Sequence, residues 1–193
     1  MSLGDADEAP DDASETPDDA HRTANLRALA HPLRLRILSL LTSGAFTAAE
    51  VARELDVTHA NASYHLRQLH AVGVVELVGE ERIRGGVAKR YRYNIERDLS
   101  RPPRHPGEGE STALDPLIYT AHLTELRRRI ALGRRAMGNY LADGEFWVDP
   151  DVWREVRDQI ADAAARLHRA AQLPRTPGAI HVSASVVMFR MED

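Results

Sequence analysis

The stretch Thr47–Val72, TAAEVARELDVTHANASYHLRQLHAV, constrains the fold more than any other part of the chain. Thr47 with Glu50 three residues on is the signature of a capping box, which starts a helix. Val51, Ala52 and Leu55 fall on one face of that helix. Asp56 comes next, a residue type that tolerates the left-handed backbone of a tight turn. Thr58 then caps a second helix, whose buried stripe is Ala62, Leu66 and Leu69. His59, Asn61, Ser63, Tyr64 and Arg67 remain on the other faces, rich in hydrogen-bonding groups and free of acid. Two helices joined in this way form a helix-turn-helix. Base edges and phosphates present mostly acceptors, so the second helix suits a DNA major groove. His59, Asn61 and Tyr64 are the expected base contacts, and Thr58, Ser63 and Arg67 the expected backbone contacts. The competing reading is a solvated face on an ordinary core helix, because such patterns are degenerate.

The segment after the second helix favours DNA. Gly73 is placed to end the helix. VVELV, the charged loop EERIRGGVAK and RYRYNI then read as two strands joined by a Gly-rich hairpin. Arg82, Arg84, Lys89, Arg90 and Arg92 crowd this hairpin, which reads as a wing. Arg84, Lys89 and Arg90 join Arg67 as expected contacts to phosphates or to the flanking minor groove.

HPLRLRILSLL at residues 31–41, followed by SYHLRQLHAVGVVE and the basic hairpin, resembles the ArsR-type winged-helix transcriptional regulators over roughly residues 24–95. The resemblance implies a homodimer that binds a palindromic operator and releases it when an effector binds. In the metal-sensing branch a cysteine pair opens the first helix of the motif. Thr47 and Ala49 stand at those positions, and the chain has no cysteine, so a thiolate metal sensor is excluded there. No metal and no cofactor is expected.

The net charge of −4 looks wrong for a DNA binder until it is divided. Residues 1–21 hold eight acids and no Lys or Arg. Residues 22–97 hold twelve basic against seven acidic side chains, a net +5, and residues 98–193 hold thirteen against fourteen. The charge of the domain is the relevant quantity. Residues 1–21 lack apolar groups to bury and are expected to be a disordered acidic tail. The acidic start shows no signal peptide, and no apolar run nears the ~20 residues of a membrane span, so a cytoplasmic protein with no membrane partner is expected.

Thr23–Ala30 and Pro32–Leu41 read as two helices, with Pro32 at a first helical position and His31 as a boundary residue. Residues 22–96 are thus one winged helix-turn-helix, and the Pro- and Gly-rich residues 97–111 a linker. A long helix comes next at about 115–142, with Tyr119, Leu123, Leu126, Ile130, Gly133, Met137 and Tyr140 at alternating spacings of four and three. That is a heptad seam, with Leu123, Leu126, Ile130 and Met137 as the expected dimer contacts; intramolecular packing is the alternative. GEFWV at 144–148 reads as a short strand. After it a helix runs from Asp149-Pro150 to about Gln172, with Val152, Val156, Ile160, Ala163 and Leu167 inward. AIHVSASVVMFRM at 179–191 reads as a second strand. Tyr140, Phe146, Trp147 and Trp153 concentrate aromatic surface where strand and helices meet, a place for an organic small-molecule effector or simply the core of this module.

The expected fold class is mainly α with a small β-wing, plus a C-terminal α+β accessory and dimerisation module at 112–193. No catalytic constellation is evident: carboxylate pairs such as Glu50/Glu54 and Asp158/Asp162 are ordinary solvated pairs, and no phosphate loop comes after a strand. The function expected is sequence-specific binding of double-stranded DNA by a homodimeric repressor. The alternative is a winged-helix protein–protein module, which would have no need of a basic cluster around Gly85-Gly86.

Overall fold

The computed structural model describes residues 28–83, 86–94, 116–133 and 139–191. The acidic tail, the linker, Arg84, Met137 and most of the helix expected at Thr23–Ala30 lie outside the described residues.

Helix α1 (Pro32–Leu41) starts where the proline places it, and His31 caps it by accepting the Leu33 N–H on Nδ1 at 3.1 Å. A two-residue strand, β1 (Phe46–Thr47), leads into α2 (Ala48–Leu55). The capping box is complete: Thr47 Oγ1 accepts the Glu50 N–H, and Glu50 Oε2 accepts the Thr47 N–H at 2.7 Å. Asp56 ends α2 at φ 53°, the left-handed backbone its residue type tolerates. Helix α3 (His59–Ala71) begins at Thr58, whose hydroxyl accepts the Asn61 N–H at 3.2 Å. It stops at Gly73, φ 74°, with the Gly73 N–H on the His70 carbonyl and the Val74 N–H on the Leu69 carbonyl. This is the paired bonding of a Schellman end.

The wing is β2 (Val75–Ile83) and β3 (Gly86–Tyr93), antiparallel, with β1 on the far side of β3 in the order β1-β3-β2. Phe46 pairs with Tyr91 and Thr47 with Arg90, so the wing is sewn to the start of α2. The core lies between the helices and the base of the wing: Ile37, Leu41, Val51, Leu66, Leu69 and Val75 are fully buried. Each such aliphatic side chain stabilises the fold by about 1.5–3 kcal/mol.

Helix α4 (Pro116–Leu132) is shorter than the expected 115–142, ending before Gly133, and it packs on α1. Its innermost residues are Ala121 and Glu125, not the heptad seam. Arg128 and Arg129 chelate the buried Glu125 carboxylate at 2.6 and 3.0 Å. Burial alone would push that carboxyl up, but the two guanidinium groups outweigh it and hold it below the usual range. The seam is turned roughly 150° away from this packed face, at about 100° per residue. Leu123 is 61% exposed and Ile130 68%, with Leu126 half-buried.

Helix α5 (Pro150–Arg169) has the expected Asp149 cap and first-position proline. Its expected inward stripe is largely corrected by the structure: Ile160 is half-buried as expected, but Val152, Val156, Ala163 and Leu167 are exposed, while Trp153 and Ala165 face inward. Neither expected strand forms: residues 144–148 and 179–191 have no ladder partner among the described residues. A strand exists only through its neighbour's hydrogen bonds, and β-branched composition alone does not supply one. No described helix is long and apolar enough to cross a membrane.

Candidate nucleic-acid interface

The exposed side of α3 carries the residues picked out from sequence. His59, Asn61 and Arg67 are exposed, and Tyr64 is half-exposed. Thr58 is exposed at the cap, where its hydroxyl accepts the Asn61 N–H and can still donate to a phosphate. Arg67 Nη1 donates to Ser63 Oγ at 2.7 Å, which lays the guanidinium along the helix and leaves its other N–H groups outward. No acidic residue lies on α3, so nothing on this face repels phosphate.

The wing divides differently from the sequence expectation. Lys89 is exposed, as a phosphate contact requires. Arg90 is already engaged within the fold. Its Nη1 donates to the Ala45 carbonyl at 2.9 Å, its Nη2 meets Glu50 Oε1 at 3.0 Å, and Glu81 lies at 3.4 Å. Arg90 thus ties β3 to the start of α2. Burial raises the Glu50 carboxyl, but hydrogen bonds from Thr47 and Arg90 prevail and keep it ionised below the usual range. Replacing Arg84 and Lys89 by alanine should make the slope of log affinity against log salt shallower by roughly one to two units, since each neutralised phosphate contributes about 0.9. An unchanged slope places the wing off the DNA.

Two features were not read from the sequence. Arg36 Nη2 donates to the Leu55 carbonyl at 2.7 Å and so caps the C-terminal end of α2 from α1. His65, on the buried side of α3, packs against His31 with ring centroids 4.6 Å apart and the rings tilted by 39°, and meets the edge of Tyr64 at 5.1 Å. Its spacing from Ala62 and Leu69 was the available signal. Burial first, then the neighbouring His31 and Arg34, lower its pKa to about 4 from 6.5. Its Nδ1 has no hydrogen-bond partner among the described residues. The unfolded chain therefore binds a proton that the folded chain refuses between those values, and stability falls as acid is added. The expected loss is about 2 kcal/mol between roughly pH 7.5 and pH 5. Denaturant titrations at the two pH values check this, and an equal loss in His65→Phe would contradict it.

The aromatic residues expected to form an effector pocket do not come together as one. Tyr140, Phe146 and Trp147 are 90%, 75% and 89% exposed, and only Trp153 is half-buried. The strand that was to position Phe146 and Trp147 is absent from this stretch, so they wall no enclosed cavity in a single copy. A separate shallow groove of about 240 Å³ lies between Ile118, Tyr119 and His122 of α4 and Val186–Met188. Among the described residues, no three His, Asp or Glu side chains cluster as a metal site.

Residues 29–78 match the family described as Helix-turn-helix domain. The match falls on the winged helix-turn-helix described above. Residues 112–193 fall outside the match. Solved structures similar to this chain include HlyU from Vibrio cholerae N16961, 20% identical with a TM-score of 0.32, over 57% of this chain and 90% of that one. The homodimeric winged helix-turn-helix DNA-binding domain of Mb0332 from Mycobacterium bovis is 19% identical with a TM-score of 0.37, over 68% of this chain and all (100%) of that one. Rv0081 from M. tuberculosis is 22% identical with a TM-score of 0.35, over 60% and 98%. Likeness at this level carries no argument about partners or assembly. No curated protein matches the chain.

Proposed function

We propose that this chain is a DNA-binding transcription regulator, a homodimeric repressor that reads a palindromic operator with α3 and is released by an organic small molecule. The observation that carries the DNA reading is the acid-free outer face of α3, which presents His59, Asn61, Tyr64 and Arg67, together with an exposed Lys89 on the wing. The dimer is supported by the uncovered seam of α4, where Leu123 and Ile130 stand in solvent in a single copy. A second copy covers such a stripe at low cost and brings two recognition helices to one side. Footprinting on the DNA upstream of the chain's own gene tests this reading. Two protected half-sites about 10 base pairs apart, centre to centre, are expected; a single protected patch, or none, contradicts it.

The release step rests on the aromatic surface of residues 140–153. A second copy would have to complete any pocket there, since one copy leaves it open. Tryptophan fluorescence and operator affinity should both respond to the true inducer and to neither zinc, copper nor nickel. Stoichiometric zinc binding that weakens operator affinity would overturn an organic effector.

A further inference from the structure

The loop after α5 is built from two turns on one plan. In the first, around Pro174-Arg175, the Thr176 N–H bonds the Leu173 carbonyl at 3.2 Å; in the second, around Pro177-Gly178, the Ala179 N–H bonds the Thr176 carbonyl at 3.1 Å. In both, the residue after the proline has a positive φ: 64° at Arg175 and 80° at Gly178. That position of a Pro-led turn favours glycine, which carries no Cβ penalty there. The second turn has glycine and the first has arginine, so the first turn retains a side chain its backbone disfavours.

The guanidinium reaches across 121 positions of sequence to Glu54 on α2, with Nη2 at 2.5 and 2.7 Å from the two carboxylate oxygens. The Glu54 side chain is only 14% exposed. Leu173, from the same loop, lies over Gly44, its Cδ2 3.0 Å from where a Cβ would stand, so any larger residue at 44 would crowd it. The loop thus touches the winged helix at two elements: the turn before β1, and the end of α2 that leads through Asp56 into α3.

We propose that Leu173–Ala179 is a clasp that holds the C-terminal module on the helix-turn-helix, with Arg175 as its positioning residue. Its consequence for affinity rests on the DNA reading above. The first helix of such a motif crosses the DNA backbone. A bare carboxylate on it repels phosphate, and Arg175 covers that of Glu54 while the module is docked. Any event that draws α5 away bares the acid and weakens DNA binding. This gives the module a physical route to the reading head.

The absence of native cysteine allows a clean test on the full chain. Spin labels at Arg53→Cys and Ala171→Cys report the distance between α2 and the end of α5. A single narrow distance is expected, broadening in Arg175→Gly, which suits the turn but lacks the guanidinium, and in Glu54→Gln. The pair Arg175→Glu with Glu54→Arg restores the narrow distance. Affinity for the promoter fragment upstream of the chain's own gene should fall roughly threefold to fivefold in Arg175→Gly, the scale of one exposed ion pair. It should hold in Glu54→Gln, which opens the clasp without baring an acid. A distance unaltered by Arg175→Gly overturns the clasp, with or without DNA. A broadened distance with Arg175→Gly affinity unchanged overturns the coupling. Failure of the wild type to bind any fragment of that promoter, with the distance behaviour as expected, overturns the DNA reading alone.

Discussion

Exchanging Ile130 for glutamate is expected to leave each winged helix folded while abolishing both the dimer and operator binding. Ile130 is 68% exposed in one copy, so the charge stays largely in solvent there. In the dimer the same carboxylate would be buried against its symmetry mate with no partner, a strongly destabilising arrangement. A monomer meets one half-site only. Affinity should then fall from the range of specific binding, about 10⁻⁸–10⁻¹¹ M, towards the non-specific range of about 10⁻⁴–10⁻⁶ M. Sedimentation of the variant beside the wild type separates the possibilities. A variant that remains dimeric moves the interface off α4, and a wild type that is monomeric at micromolar concentration removes the dimer altogether.

Asn61→Ala should change which base is preferred at one position in each half-site. An Asn side chain pairs bidentately with adenine, and such a contact contributes about 1–3 kcal/mol of discrimination. The fold should be indifferent, because the Asn61 side chain is exposed and it is the main-chain N–H of Asn61 that meets the Thr58 cap. Competition between the operator and single-base variants measures the effect. Equal weakening on operator and random DNA would show that Asn61 holds a phosphate instead. His59→Ala and Tyr64→Ala serve as neighbours on the same face, each expected to alter a different position.

The residues that shape the helix-turn-helix were legible because their chemistry is local. The Thr47–Glu50 box, the left-handed Asp56, the Thr58 cap and the Gly73 stop each act within five residues of their own position. The internal bonds of Arg90 were not legible, for the opposite reason. Its partner is set by the pairing of Thr47 with Arg90 across a two-residue strand that no periodicity announces. The packed face of α4 was equally hidden, since a chelated glutamate and an alanine occupy it while the apolar seam faces out. The two C-terminal segments read as strands because their side chains suit a sheet, but their partner is not among the described residues. Arg175 at a positive φ could not be anticipated either: Pro-Arg carries no turn signal as strong as Pro-Gly.

The central claim is that α3 reads sequence, and its most direct test is the ratio of affinities for the upstream operator and for a scrambled duplex of equal length, measured across a series of salt concentrations. Phosphate contacts alone give two parallel lines that coincide, since counterion release ignores sequence. Base reading by His59, Asn61 and Tyr64 separates the lines by roughly 10³-fold or more at physiological salt. The account predicts that separation, and predicts that it shrinks in Asn61→Ala while the slopes stay unchanged. Coincident lines for the wild type would contradict it.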